Sequence, residues 1–282
     1  MVACLATLTN LDRLSLGFQS PQSRPDRGSR HPPLPKRTVL PAFISFSFRG
    51  VCEYLENFVA CIDAPQLNFF DTTFFNDIVF DTPQFTKFIS RTPTMEAFDN
   101  ASVVLWDRRA TIELLPKTFR DGELSMVTMV VSCGELDWQF SFLEQVCTSF
   151  LPHLSVLEDL YITNHRSLRN WGDGIESSSW LELLCPFATV KNLFLSEKIA
   201  PHVVPALQEL VGGRTTEVLP TLQNVFIEGL QPSGPVREGI RKFVVARQVV
   251  SHRIAVSRWV RDPSRIMYWE VESGRLINTL RL

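Results

Sequence analysis

The chain has 282 residues, 45% of them apolar and 21 of them Phe, with a formal net charge of -2. That length carries one large domain or two small ones with a substantial core, and no apolar run approaches the ~18 residues a membrane span needs. A charge so near zero argues neither for nor against a nucleic-acid partner.

The N-terminal stretch MVACLATLTNLDRLSLGF has no basic leading region and is broken by polar residues, so it does not read as a secretory signal. From Leu5 it instead begins a phrase, LATLTNLDRLSLGF, that returns along the chain. Close copies are LPAFISFSFRG from Leu40, LPHLSVLEDLYITN from Leu151, CPFATVKNLFLSE from Cys185 and LPTLQNVFIEG from Leu219. Looser ones lie around Phe70, Phe98 and Met129. The apolar residue two before the end of each core serves as an anchor. The anchors are Leu14, Phe46, Phe70, Phe98, Met129, Leu160, Leu193 and Val225, at separations of 32, 24, 28, 31, 31, 33 and 32.

The third copy shows what each unit is. Leu151, Leu154, Leu157 and Leu160 recur in steps of three, and Ile162 follows after a step of two. The threes belong to an incoming turn and the two to a short strand, the LxxLxL pattern of a leucine-rich repeat. Between the phrases lie helical stripes. GVCEYLENFVACI places Val51, Tyr54, Leu55, Phe58, Val59 and Ile62 on one face. DTPQFTKFI offers Thr82 as N-cap with Pro83 at the first helical position. FSFLEQVCTSFL, PHVVPALQELV and PVREGIRKFVVARQVV repeat the stripe. The predicted fold class is α/β, a leucine-rich-repeat-like solenoid of about eight irregular repeats over residues 1–260, with a parallel concave sheet and convex helices. A general α/β domain with regular spacing is the alternative.

Two segments fall outside the rhythm. Residues 19–37, QSPQSRPDRGSRHPPLPKR, hold five Pro and five Lys or Arg against one Asp, and are expected to be a disordered basic insertion. PPLPKR within it fits a polyproline-II ligand pattern that a plain solvated loop also fits. Residues 261–282 are expected to be a C-terminal hairpin or tail, with RIMYWEVESGRLINTLRL reading as strand, turn, strand.

No catalytic motif is found: no phosphate-binding glycine loop, no HExxH, no GxSxG. The five histidines, His31, His153, His165, His202 and His252, stand apart from cysteines and acidic clusters. Six cysteines include no CxxC, so neither zinc nor a disulfide framework is expected, and Cys61 and Cys147 read as small hydrophobes on helical faces. Asn100-Ala101-Ser102 reads as a chance glycosylation triplet. No enzyme activity, cofactor or metal is expected, and the compartment is read as reducing, cytoplasmic or nuclear.

Surface charge is polarised. Residues 53–99 carry a net -6 and residues 237–265 a net +6, read as solvated faces rather than a nucleic-acid surface. Side chains alternate along a strand, so the residue after each anchor points into the concave groove. These are Ser15, Ser47, Asp71, Asp99, Val130, Tyr161, Phe194 and Phe226. The candidate partner-binding residues are Asp71, Asp99, Val130, Tyr161, Phe194 and Phe226, a row that turns from acidic to aromatic. The alternative is that a loop or the tail covers it.

LPAFISFSFRGVCEYLENFVACIDAPQLNFFDTTFFN with FDTPQFTKFISRTPTMEAFD, and LPTLQNVFIEGLQPSGPVREGIRKFVVARQ, resemble the leucine-rich region and closing segment of fungal F-box proteins over roughly residues 40–260. The resemblance implies a substrate-recognition domain of a cullin-RING ubiquitin ligase, with a protein partner or ubiquitination substrate. A ligase adaptor is implied only if an F-box lies upstream, since the sequence starts inside a repeat and shows no F-box of its own. A stand-alone repeat scaffold binding a protein is the other functional expectation.

Overall fold

The computed structural model describes residues 7, 10–18, 37–75, 82–95, 98–116, 125–133, 135–149, 154, 156–165, 175–210 and 217–260, with the backbone of 271–272 and 275–276. The insertion 19–36, the first three leucine-phrase residues from Leu151 and most of the tail lie outside them, with His31 and His153.

The first half of the described chain alternates strand and helix as the repeat phrases require. Strand β1 (Arg13–Gly17) is followed by a short β2 (Thr38–Val39) and by β3 (Ser45–Gly50), helix α1 (Cys52–Val59), a short β4 (Ile62–Asp63), β5 (Phe69–Phe75) and helix α2 (Pro83–Ser90). Then come three strands in succession, β6 (Asn100–Trp106), β7 (Arg109–Leu115) and β8 (Met126–Ser132), before helix α3 (Leu136–Ser149). The alternation resumes with β9 (Asp159–Asn164), α4 (Ser177–Leu184), β10 (Asn192–Leu195), α5 (Ala200–Glu209), β11 (Asn224–Glu228), α6 (Pro235–Val249) and β12 (Ala255–Trp259). In the tail β13 (Val271–Glu272) and β14 (Arg275–Leu276) form an antiparallel pair, the hairpin read from the sequence.

Ten strands make one sheet in the order β1-β3-β5-β8-β7-β6-β9-β10-β11-β12. All neighbours are parallel except β6/β7 and β7/β8. Helix and strand faces share one core, in which Phe46 meets Phe58 of α1, Phe70 meets Phe85 and Phe88 of α2, and Phe74 meets Phe142 of α3. Leu160, Leu193 and Val225 continue the same row, fully buried, under the later helices.

The anchor register holds at both ends. Leu14 lies opposite Phe46, Phe46 opposite Phe70, and Leu160 opposite Leu193 and then Val225. It fails in the middle. Phe98 precedes β6 rather than lying in a strand, and Met129 lies opposite Thr72, two residues along from the expected Phe70 row, where Val127 stands instead. The chain skips two strand positions after β5 to lay down β6, returns through β7 and β8 to the side of β5, and then crosses by α3 to β9 beside β6. The cause is local: NASVVLW and RATIELL are two alternating runs joined by Asp107-Arg108, a hairpin signal. A single unit of about 31 residues was expected there, and an antiparallel meander stands in its place. Strand β12 and helix α4 were likewise not expected from the phrases.

The caps also differ from the sequence reading. Thr82 stands at the N-cap of α2 with Pro83 after it, as expected, but its buried hydroxyl makes no hydrogen bond. Glu56 of α1 does the capping: its carboxylate accepts the N–H groups of Gln84 at 2.9 Å and Phe85 at 2.7 Å. Helix α6 approaches α5 closely because Gly239 has no side chain; a Cβ there would lie 2.6 Å from Val204 Cγ1 and against Gln208. Arg37, at the edge of the basic insertion, is anchored to Asp63 at 2.9 Å, and Arg91 reaches the same carboxylate at 2.6 Å. Cys147 is a buried helical residue as expected, whereas Cys61 follows α1 and is partly exposed. Cys52, Cys61, Cys133, Cys147 and Cys185 are free. Among the described residues no helix is long and apolar enough to cross a membrane.

Candidate functional site

The helices cover one face of the sheet, and alternation leaves the other side chain of each strand on the open face. The register joins these into one row. Its first half is polar: Ser15, Ser47, Asp71, Thr128, Glu113 and Ser102, on β1, β3, β5, β8, β7 and β6. Its second half is aromatic: Tyr161, Phe194 and Phe226 on β9, β10 and β11, ending at Ser257 on β12.

Four of the six candidate residues from the sequence, Asp71, Tyr161, Phe194 and Phe226, lie in this row. Two do not. Asp99 precedes β6 and acts through its backbone: its carbonyl accepts the N–H groups of Glu158 at 2.9 Å and Asp159 at 3.1 Å. Val130 is on the open face but two residues along from the row, opposite Thr73 and Thr111. Both were misplaced because the meander takes the positions assigned to single repeats. The same error hid Thr128, Glu113 and Ser102. The alternation in RATIELL is the signal that would have found Glu113.

The aromatic side chains of the open face reach across several strands. Strands β9 and β12 are three strand spacings apart, about 14 Å on a flat sheet. Yet the Trp259 ring of β12 lies 6.0 Å from the Tyr161 ring and 5.6 Å from that of Phe194. The long side chains lean across the open face and close that gap. The middle of the face is its deepest part, where Thr128 is only 5% exposed and Thr111 6%.

In the aromatic half the rings stack on one another. Tyr161 and Phe194 have centroids 4.3 Å apart at 10°, and Phe194 and Phe226 4.5 Å apart at 9°. Stacked faces are spent on each other, so the stack presents ring edges to the groove and Trp259 packs edge-on against Phe194. A polar ladder runs alongside, one pleat away. Asn224 Nδ2 donates to Asn192 Oδ1 at 2.7 Å, and Asn192 Nδ2 donates to Asp159 Oδ1 at 2.6 Å. The polar residue before the anchor in LEDLYI, VKNLFL and LQNVFI is therefore structural, tying β9, β10 and β11 together.

The polar half holds two carboxylates with unusual proton affinity. Burial pushes Asp71 up to about 6, opposed by the Ser47 hydroxyl that donates to its Oδ2 at 3.4 Å. Burial pushes Glu113 up to about 7, and the negative charge of Asp71 adds to the effect. Neither carboxylate has an ion-pair partner among the described residues. Two cations on this face lie over rings: Arg49 over that of Phe75 at 5.2 Å, and Arg109 over that of Trp106 at 3.7 Å. His165 stacks on the same Trp106 with a centroid separation of 3.7 Å. Among the described residues no group of three or more His, Cys, Asp or Glu is placed to hold a metal ion.

No family model, no curated protein and no solved structure matches this chain.

Proposed function

We propose that the chain is a non-enzymatic, protein-binding module of leucine-rich-repeat type that takes a partner polypeptide in the groove on its open face. The observation that carries the reading is the continuous row from Ser15 to Ser257, whose second half is the stack of Tyr161, Phe194 and Phe226 flanked by Trp259. Tyr, Phe and Trp suit interface anchors, and a sheet edged by long side chains offers an elongated partner a trough. The parallel repeats β1-β3-β5 and β9-β10-β11-β12 support the repeat-type assignment, with the meander β6-β7-β8 as an insertion that widens the groove.

A narrower reading supports itself on the sequence phrases alone: the groove is the substrate-recognition part of an F-box-type receptor of a cullin-RING ubiquitin ligase. Both readings are tested in cells by proximity labelling with the full chain and with the Tyr161→Ser/Phe194→Ser/Phe226→Ser variant. Partners labelled by the native chain should be lost in the variant while its circular dichroism stays native. Unchanged labelling would remove the groove from the interaction. Absence of cullin-ligase subunits among the partners removes the ligase reading and leaves the protein-binding one.

A further inference from the structure

Three polar groups in the most sheltered part of the groove are short of partners among the described residues. Asp71 and Glu113 are carboxylates without an ion pair there, Asp71 accepting the Ser47 hydroxyl at 3.4 Å, and Thr128, in register between the two, is 5% exposed with a buried hydroxyl that makes no hydrogen bond. Its backbone carbonyl is already occupied by the Thr72 hydroxyl at 3.2 Å, so the side chain alone is orphaned. An unmade buried hydrogen bond costs about 1–3 kcal/mol, and two carboxylates held partly out of water without a cation add to that cost.

We propose that this pocket binds a lysine or arginine side chain of the partner polypeptide, its cation held between the carboxylates of Asp71 and Glu113 with the Thr128 hydroxyl accepting one of its N–H groups. The inference rests on the protein-binding reading and specifies what the groove selects. Lysine supplies three donors and arginine five, enough for both carboxylates and the hydroxyl at once. The backbones of Asp71 and Glu113 are two strand spacings apart, about 10 Å, with Thr128 between them, and no hydrogen bond joins the two carboxylates. A divalent metal is disfavoured by the donor set: two carboxylates and one hydroxyl fall short of the six or more oxygens such a cation takes. The proton affinity of both carboxylates supports the same guest, because a cation would hold them ionised where burial alone does not.

The row also sets the spacing of a second contact. The cation lies over Thr128, three strands from Tyr161 across Glu113 and Ser102, about 14 Å. An extended peptide advances about 3.4 Å per residue and alternates its side chains, so an apolar residue four positions from the basic one, on the same side of the peptide, meets the aromatic stack. The guest is therefore a basic residue, three of any kind, and an apolar residue, read in either chain direction.

Panning a random dodecapeptide phage library on the full chain tests this, with parallel panning on Asp71→Asn/Glu113→Gln and on Tyr161→Ser. The native chain should enrich peptides with Lys or Arg four positions from an apolar residue. A synthetic peptide of the enriched consensus, read by fluorescence anisotropy, should bind the double variant at least tenfold more weakly. Thr128→Val, which removes only the hydroxyl, should weaken it about threefold while the fold stays native. Peptides that bind the groove, as judged by loss on Tyr161→Ser, but carry no basic residue or bind the double variant equally well, would overturn the inference and leave the protein-binding reading standing. No peptide sensitive to Tyr161→Ser would overturn both.

Discussion

Replacing Glu113 by Gln should stabilise the protein at pH 8 and not at pH 4. In the fold Glu113 titrates at about 7, against an ordinary 4.5, because burial and the charge of Asp71 oppose its ionisation. The sign follows from the direction of the shift. The folded state binds the proton more tightly than the unfolded state, so stability is fully present below pH 4.5 and falls as pH rises through about 7. The gap between 4.5 and about 7 corresponds to at most about 3 kcal/mol, at about 1.4 kcal/mol for each tenfold change in proton affinity. Glu113 keeps some contact with solvent, and the amide of Gln must itself be satisfied. An expected gain of about 1–2 kcal/mol at pH 8 remains. Urea denaturation followed by tryptophan fluorescence from pH 4 to pH 8 measures it: the native and variant curves should converge at the acid end and separate at the alkaline end. The gain should shrink in an Asp71→Asn background, which removes the neighbouring charge. A Glu113→Gln curve parallel to the native one across the range, or lying below it at pH 8, would refute the desolvated-pair account.

Two further changes test the framework that holds the groove. Glu56→Ala removes the acceptor for the N–H groups of Gln84 and Phe85 and should cost about 1–2 kcal/mol. Hydrogen exchange should show the loss first in α2, and undiminished protection there would mean that Thr82 takes over the cap. Gly239→Ala places a methyl group 2.6 Å from Val204 Cγ1, so the α5–α6 contact must open. Overpacking of about 1–3 kcal/mol exceeds the helix-propensity gain of at most about 1 kcal/mol, and thermal denaturation should show a net loss; a raised melting temperature would show that α6 shifts freely.

How much of this was legible depends on how far each physical signal reaches along the chain. Strand residues announce themselves locally, through alternation, and the recurring phrase marks the equivalent position in each parallel neighbour even where the spacing changes. That is why Leu14, Phe46 and Phe70 line up as expected, and why Tyr161, Phe194 and Phe226 stack. Helix positions were legible for the same reason, but the residue that caps α2 was not, because Glu56 lies 28 residues before the N–H group of Gln84 that it accepts. Thr82, the local candidate, was the only kind of answer a local pattern can return.

The groove's acidic half fell on the wrong side of the same limit. A constant spacing near 31 residues between Phe98, Met129 and Leu160 concealed a change in strand order, since a three-strand meander occupies about as much chain as one more repeat unit. Spacing counts residues and says nothing about which strand lies beside which. The hairpin around Asp107-Arg108 carries that information, and it decides the chemistry: only because β8 and β7 stand between β5 and β6 do Asp71, Thr128 and Glu113 come into one row. With eight parallel repeats in chain order, Asp71 would have faced Asp99 and the acidic end would have been a solvated edge. The meander instead places two carboxylates and a hydroxyl in the most sheltered part of the face, where a cation brought by a partner has most to offset.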